Sequence, residues 1–325
     1  MSGDLEFGWA GPGDLDEVEA FHVRHFGADS IQALPGRVRW LYFDNPLGLH
    51  LAVCRDGGEL VACCGHLPQP VAVAGTTVTA GFGIDFMVAP SHRRRGIGRR
   101  FLDLRTERFP LSLSTGQSPA MLALYRASGA VELGPLFVGL RRRRPPLAGS
   151  PRDLAKGWAL WAAGLAARGC APAAGVRTVD APEAAALAGG SERAAWFRWR
   201  YGGPVYADHG FLTDGAAAAV WREQAGIRTV VGLAGAPAAR AGLLAAAARR
   251  PGAAWTRVPA AGDALRADLR RAGYLVRPLD AVLVALTRDA ALQEALRPGA
   301  LDLDGGAADT DLLRRPPVSG PARGA

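Results

Sequence analysis

Apolar and polar positions alternate along this chain so as to mark out two similar series of elements. Residues 5–10 read as a strand, and Asp14 is placed to cap a helix that reaches about Phe26, with Val18, Phe21, His22 and His25 along it. A second helix is expected over about residues 31–43, ending before the turn Asn45-Pro46-Leu47-Gly48. Residues 51–54 and 60–64 form a hairpin about Asp56-Gly57-Gly58, and residues 71–73 continue it. After a turn at Ala74-Gly75-Thr76 the run 78–88 is strongly apolar and is broken at Pro90, which has no N–H to give a sheet. A helix follows from about Ile97 to Arg108, turning Phe101, Leu102 and Leu104 inward and charge outward. Residues 111–114 make a short strand. Ser118 then caps a helix with Pro119 at its first position, which stops at Gly129, and residues 131–140 close the series.

The same order recurs downstream. A strand at 176–179, helices at 182–187 and 192–201, strands near 205–212, 217–221 and 227–233, a helix at 237–249, a strand at 255–258, a helix at 264–271 and a strand at 279–286 repeat it. A local echo supports duplication: Arg39-Trp40-Leu41-Tyr42 precedes Pro46, and Arg198-Trp199-Arg200-Tyr201 precedes Pro204, each at the end of the second helix of its series. The run Arg141-Arg142-Arg143-Arg144-Pro145-Pro146 marks a boundary. The expected organisation is therefore a first domain over 1–145, a linker with a helix over 146–173, a second domain over 174–290, and a tail over 291–325 whose Gly, Pro and charge predict disorder.

Composition narrows the classes. A chain of 325 residues, 49% hydrophobic, has length and apolar content for two cores. The formal charge of +8 would fit a nucleic-acid partner, but Lys156 is the only lysine and Arg, Ala, Gly and Pro are abundant throughout. That is a chain-wide bias rather than a basic face, so nucleic acid is an unlikely partner. Cys54, Cys63, Cys64 and Cys170 show no metal spacing, so no metal is expected, and the chain reads as a reduced, cytoplasmic protein. The start of the chain lacks the basic and apolar regions of a signal peptide, and its longest apolar segment, 158–167, is too short to span a bilayer.

The chemistry concentrates in residues 83–104, GIDFMVAPSHRRRGIGRRFLDL: a buried strand, an Arg/Gly-rich loop, then a helix. Glycines let the loop turn tightly, and the first amides and dipole of the helix favour an anion. This stretch resembles the signature of the GNAT superfamily of acyl-CoA-dependent N-acyltransferases, whose loop reads Gln/Arg-x-x-Gly-x-Gly/Ala, matched here by Arg93, Gly96 and Gly98. The resemblance implies an α/β (α+β) fold of two tandem GNAT-like domains, each a mixed, mostly antiparallel sheet flanked by helices. The second is degenerate, since Leu233-Ala234-Gly235-Ala236-Pro237 stands where the basic loop would be.

The resemblance also implies roles. Backbone groups of Phe86, Met87 and Val88 would pair with the pantetheine arm of acetyl-CoA or another acyl-CoA. Arg93, Arg94, Arg95, Gly96, Ile97, Gly98 and Arg99 would cradle its phosphates, and Ser118 stands where many relatives carry an Asn of the cofactor site. Tyr125 would be the general acid for the leaving thiolate or, alternatively, an aromatic filling the helix–sheet interface. Asp85, a carboxylate in an apolar strand, is either the base for the amine acceptor or one half of an ion pair with an arginine. Asp44, Glu59, His66 and His92 are weaker base candidates. The implied reaction is acyl transfer to a small-molecule or peptide amine in one ternary complex. The competing readings are a CoA-binding module without turnover and an aminoacyl-tRNA-dependent peptidyltransferase.

Overall fold

The computed structural model describes residues 4–73, 76–145, 150–166, 171–203, 208–301 and 303–304. It has the expected fold class, mostly antiparallel sheet flanked by helices. The described residues fall into two compact units, one within Met1–Glu132 together with Val284–Leu296, the other within Leu133–Leu283 together with Arg297–Ala308.

In the first unit, β1 (Leu5–Trp9) is followed by α1 (Leu15–Phe26), then β2 (Leu51–Asp56), β3 (Glu59–Val73), β4 (Thr76–Val88), α2 (Ile97–Arg108), β5 (Leu111–Ser114) and α3 (Pro119–Ala127). β1 to β4 pair antiparallel in sequence order, and β4 pairs parallel with β5. The core beneath α2 joins Ala52, Cys54, Val61, Ala62 and Cys64 to Ile97, Phe101 and Leu104. Burying a side chain the size of Phe101 contributes about 1.5–3 kcal/mol. The expected second helix is instead a 3₁₀ turn at Ile31–Ala33 and a π-helical turn at Arg39–Phe43. Pro35 and Gly36 separate them: proline restricts the residue before it, and Gly36 takes φ +72°.

The chain continues through β6 (Val131–Arg142), α4 (Pro151–Ala166), β7 (Arg177–Val179), α5 (Ala181–Ala186), α6 (Ser191–Gly202), β8 (Gly210–Thr213), β9 (Ala217–Gln224), β10 (Ile227–Gly235), α7 (Pro237–Arg249), β11 (Trp255–Ala261), α8 (Asp263–Arg271), β12 (Leu275–Leu286), α9 (Ala290–Ala295) and β13 (Leu303–Asp304). β7 to β10 pair antiparallel in order and β10 pairs parallel with β11, the pairing pattern of β1 to β5. The core of this unit is aliphatic, with Leu243, Leu244, Val258 and Leu269 among its members.

Two expectations change. β6, expected to close the first domain, pairs with β11 in the second unit, while Val284–Leu286 of β12 pairs with Ser112–Ser114 in the first. Alternation identifies a strand and its inward face but not the edge it joins, because that choice rests on contacts distant in sequence. The compact units accordingly divide at Glu132 rather than near residue 145. The tail is also partly ordered: Asp289 caps α9 through Ala291 and Leu292, and β13 pairs with Ala260–Ala261. Its remainder from residue 305 lies outside the described residues, as do Cys170, Pro146 and Pro204.

Candidate active site

The site starts where two strands part. β4 pairs with β5 only from Ala80 to Gly83, opposite Leu111 to Ser114, yet runs on to Val88. Ala80, Gly81 and Phe82 are buried, whereas Asp85, Phe86, Met87 and Val88 are half-buried, as befits a strand whose β5-side edge is open. On its other side β4 carries a bulge. Cys63 pairs with Met87 and Gly65 with Ile84, so Asp85 and Phe86 together oppose Cys64, and Asp85 adopts φ +48°. Left-handed backbone at a non-glycine residue needs support from its surroundings. Here the carboxylate of Asp85 accepts 2.6 Å hydrogen bonds from Arg37 Nη1 and Tyr42 Oη. Gly65 makes room for the tyrosine, since a Cβ there would lie 2.1 Å from Tyr42 Oη.

Beyond the open edge the chain makes a 3₁₀ turn at Pro90–His92, takes φ +66° at Arg94 and +78° at Gly96, and enters α2. No side chain caps α2, so the amides of Ile97, Gly98 and Arg99 are left for an outside acceptor. Most of the loop's arginine side chains are engaged within the protein. Arg95 and His92 hold Asp56 at 2.8 and 3.1 Å, Arg93 Nε donates to the Val88 carbonyl at 3.4 Å, and Arg99 pairs with Asp103 at 3.4 Å. Arg94 is exposed and has no partner among the described residues. Gly98 is held close to Phe86, Met121 and Leu124, so α2, α3 and the end of β4 meet there. Ser118 accepts from Met121 N at 3.3 Å as the N-cap of α3.

Two buried polar clusters lie on opposite faces of this sheet. On the face of α2 and α3, His66, Gly83 and Ser114 stand in one row across three strands. Arg105 of α2, 1% exposed, lies over Gly83, whose missing Cβ would sit 2.0 Å from Arg105 Nη1. Arg105 Nη2 donates to the hydroxyl of Tyr125, which is 2% exposed. Desolvation, helped by Arg105 and His50, holds the His66 imidazole well below the usual histidine range, so it is neutral.

On the other face Asp85 and Arg37 form an ion pair with side chains 3% and 1% exposed. Burial alone would push the Asp85 carboxyl up, but Arg37, His22 and the Tyr42 hydrogen bond together hold it below the ordinary value. His22 Nε2 lies 3.5 Å from Cys63 Sγ, and burial lowers the imidazole and raises the thiol well above its normal range. That pair is a neutral imidazole and thiol rather than an activated nucleophile.

The structure thus brings Phe86, Met87, Val88, the 93–99 loop and Tyr125 to one end of β4, and gives Asp85 an arginine partner. Arg37, Tyr42 and Arg105 were not singled out from sequence. The available signals were a carboxylate inside an apolar strand, which calls for a cation, and the place of Arg105 four residues after Phe101 on the inward stripe of α2. Among the described residues no cluster of His, Cys, Asp or Glu is placed to hold a metal, and no helix is long and apolar enough to cross a membrane.

A mixed sheet with a parting parallel pair and a basic helix start places the protein in the fold class of the GCN5-related N-acetyltransferases. Solved structures with this fold include a GCN5-related N-acetyltransferase from Kribbella flavida, 19% identical with TM-score 0.61, covering 91% of this chain and 74% of that one. Eis1 from Mycobacterium abscessus is 15% identical with TM-score 0.57, covering 90% and 76%. A GCN5-related N-acetyltransferase from Anabaena variabilis is 12% identical with TM-score 0.58, covering 90% and 75%. Residues 10–129 match the family model of the acetyltransferase (GNAT) domain. No curated protein matches the chain.

Proposed function

We propose that this protein is a cytoplasmic N-acyltransferase that moves an acetyl or other acyl group from acyl-CoA to an amine by direct attack in a ternary complex. The observation that carries the reading is the open edge of β4 beyond Gly83, continuous with the uncapped start of α2. Backbone groups of Phe86, Met87 and Val88 hold the pantetheine arm as an added strand would. The amides of Ile97, Gly98 and Arg99, with Arg93, Arg94 and Arg95 around them, hold the phosphates. Gly96 lets the chain turn there without a side chain. Ser118 starts the helix that delivers Tyr125. The amine nitrogen adds to the thioester carbonyl, the C–S bond breaks with its electron pair going to sulfur, and Tyr125 gives that sulfur a proton. Such acid catalysis contributes about 10²–10⁴ in rate. Asp85 acts by fixing the bulge from which the open edge starts, and the proton of an ammonium acceptor leaves to solvent.

The second half is a degenerate copy. Pro237 opens α7 where Ile97 opens α2, and proline has no amide to offer a phosphate. One acyl-CoA per chain is therefore expected. Thermal-shift titration with acetyl-CoA and longer acyl-CoAs tests the reading, with free-thiol release across a panel of amines as its second stage. Stabilisation by an acyl-CoA that is lost in Gly96→Glu is the expected result. No stabilisation by any of them, with Gly96→Glu indistinguishable from the parent, overturns it. Binding without thiol release for any amine would instead identify a CoA-binding module.

A further inference from the structure

Tyr125 and Arg105 leave two donors without acceptors in the interior. The Tyr125 oxygen accepts from Arg105 Nη2, and a guanidinium has no lone pair to offer in return. The phenolic hydrogen must therefore point away from Arg105, and it finds no acceptor among the described residues. Arg105 Nε also has none. No carboxylate of a described residue pairs with Arg105, although its side chain is almost wholly buried. A buried guanidinium without a counter-charge costs several kcal/mol, a cost sequences avoid unless the charge is used. The fold does not require it: Ala245 and Ala246 occupy the corresponding turn of α7. Gly83 has the complementary shape, since any side chain there would displace Arg105.

We infer that Arg105 is a positioning residue for Tyr125, turning its hydroxyl hydrogen toward the sulfur of bound CoA and supporting the negative charge that develops on the phenol–thiolate pair when the C–S bond breaks. This rests on the proton-donor reading of Tyr125 given above. The proton passes from Tyr125 Oη to the sulfur, and the phenolate left behind is hydrogen-bonded to Arg105 until the amine or solvent returns a proton. The other ionisable groups packed in this face are Cys54 from β2, Cys64 and His66 from β3, His50 before β2, and Arg108 of α2. Burial holds both histidines neutral and pushes the Cys54 thiol up to about 11 and the Cys64 thiol up to about 12, so these four add no charge near neutral pH.

The test needs no acceptor. The ultraviolet thiolate band of CoA bound to the full-length protein is followed against pH, with desulfo-CoA complexes as blanks. The expected result is that the bound thiol ionises at lower pH than free CoA, and that Arg105→Met moves its midpoint up by about one pH unit, tenfold in ionised fraction. Tyr125→Phe should move it similarly, and the double variant no further than either single one, because both act through one hydrogen bond. Arg105→Lys, which keeps charge but not the planar fork, should fall between. Equal CoA affinity and melting temperature across the set exclude a loss of fold, and if Arg105→Met does not fold, the Lys variant alone decides. A midpoint moved by Tyr125→Phe but not by the Arg105 variants, or a double variant equal to the sum of the singles, overturns the inference and leaves the donor reading standing. No movement with Tyr125→Phe removes both, and no CoA complex at all removes the acyl-CoA reading itself.

Discussion

Two bulges of this molecule, one in each unit, are built with the same parts and finished differently. In the first unit Tyr42, last residue of Arg39-Trp40-Leu41-Tyr42, lies over Gly65 where the register of β3 and β4 slips. In the second, Tyr201, last residue of Arg198-Trp199-Arg200-Tyr201, lies over Gly232 where the register of β9 and β10 slips. Each tyrosine hydroxyl bonds to the residue at the slip, but Tyr42 meets the carboxylate of Asp85, and Tyr201 the backbone carbonyl of Val231 at 3.2 Å. At the second slip the tyrosine's partner is a backbone carbonyl rather than a carboxylate. The Asp85 carboxylate thus stands where the second bulge has Val231, and it sits in the half that also has the basic loop. The helices that follow show the same contrast. α3 and α8 end alike, with Gly129 and Gly273 both at φ +79°, yet the residue four before each is Tyr125 in one and Leu269 in the other.

Making the first bulge resemble the second should have the largest effect. Asp85→Val leaves the Arg37 charge buried without its carboxylate and should cost about 3–5 kcal/mol, read by urea unfolding. Adding Arg37→Met should recover most of that stability, since apolar replacements of buried pairs are often neutral. If Asp85→Val alone is neutral, the pair is not what braces the strand. Recovered stability together with lost acyl-CoA binding would assign the pair to the site rather than to the fold.

Gly83→Ala comes next. Its new methyl would displace Arg105, and overpacking of this kind costs about 1–3 kcal/mol. The same change at Gly139, where the nearest atoms are the flexible end of Leu269 at 2.9 Å, should cost less. Thermal unfolding of the two variants ranks them, and equal losses would mean that Arg105 can move aside. Acid offers a third comparison. Because the folded carboxyl of Asp85 lies below its unfolded value, the unfolded chain binds the extra proton first. Its stabilisation is present above the unfolded value near 3.9 and is lost as pH falls through the folded one. The Asp85→Val, Arg37→Met protein should show a shallower acid limb in melting temperature against pH, and an unchanged limb would place the titration elsewhere.

Much of this was legible in the sequence because it is local. The order of elements, the bare basic helix start, and the cap at Ser118 follow from period, loop chemistry and capping residues within a few positions. Two kinds of feature were not. The strands at 131–142 and 275–286 were recognisable as strands, but their partners, β11 and β5, are decided by contacts far away in sequence. Buried arginines were the other gap: hydropathy assigns Arg37 and Arg105 to solvent, whereas inside the protein they meet the carboxylate of Asp85 and the hydroxyl of Tyr125. Of the candidate residues, Asp85 illustrates the difference. Its sequence position marked it as unusual, while the partner that meets it, Arg37, lies 48 residues away and had no local signal.

The smallest expected effect concerns how the two counterpart helices begin. α3 starts at Ser118, whose hydroxyl accepts from Met121 N, whereas α8 starts at Gly262 with no side-chain cap. Ser118→Ala should cost about 0.5–2 kcal/mol, and Ser118→Gly, which reproduces the second half, only a few tenths. If Ser118 serves only as a cap, acyl-CoA affinity should follow this stability order and stay nearly unchanged in the Gly variant. A Gly variant that melts like the parent but binds acetyl-CoA several-fold more weakly, measured by calorimetry, would show that the hydroxyl itself meets the ligand. The helix start would then differ between the halves for the same reason as the bulge, with a polar group kept where a ligand must be met and omitted where only packing is required.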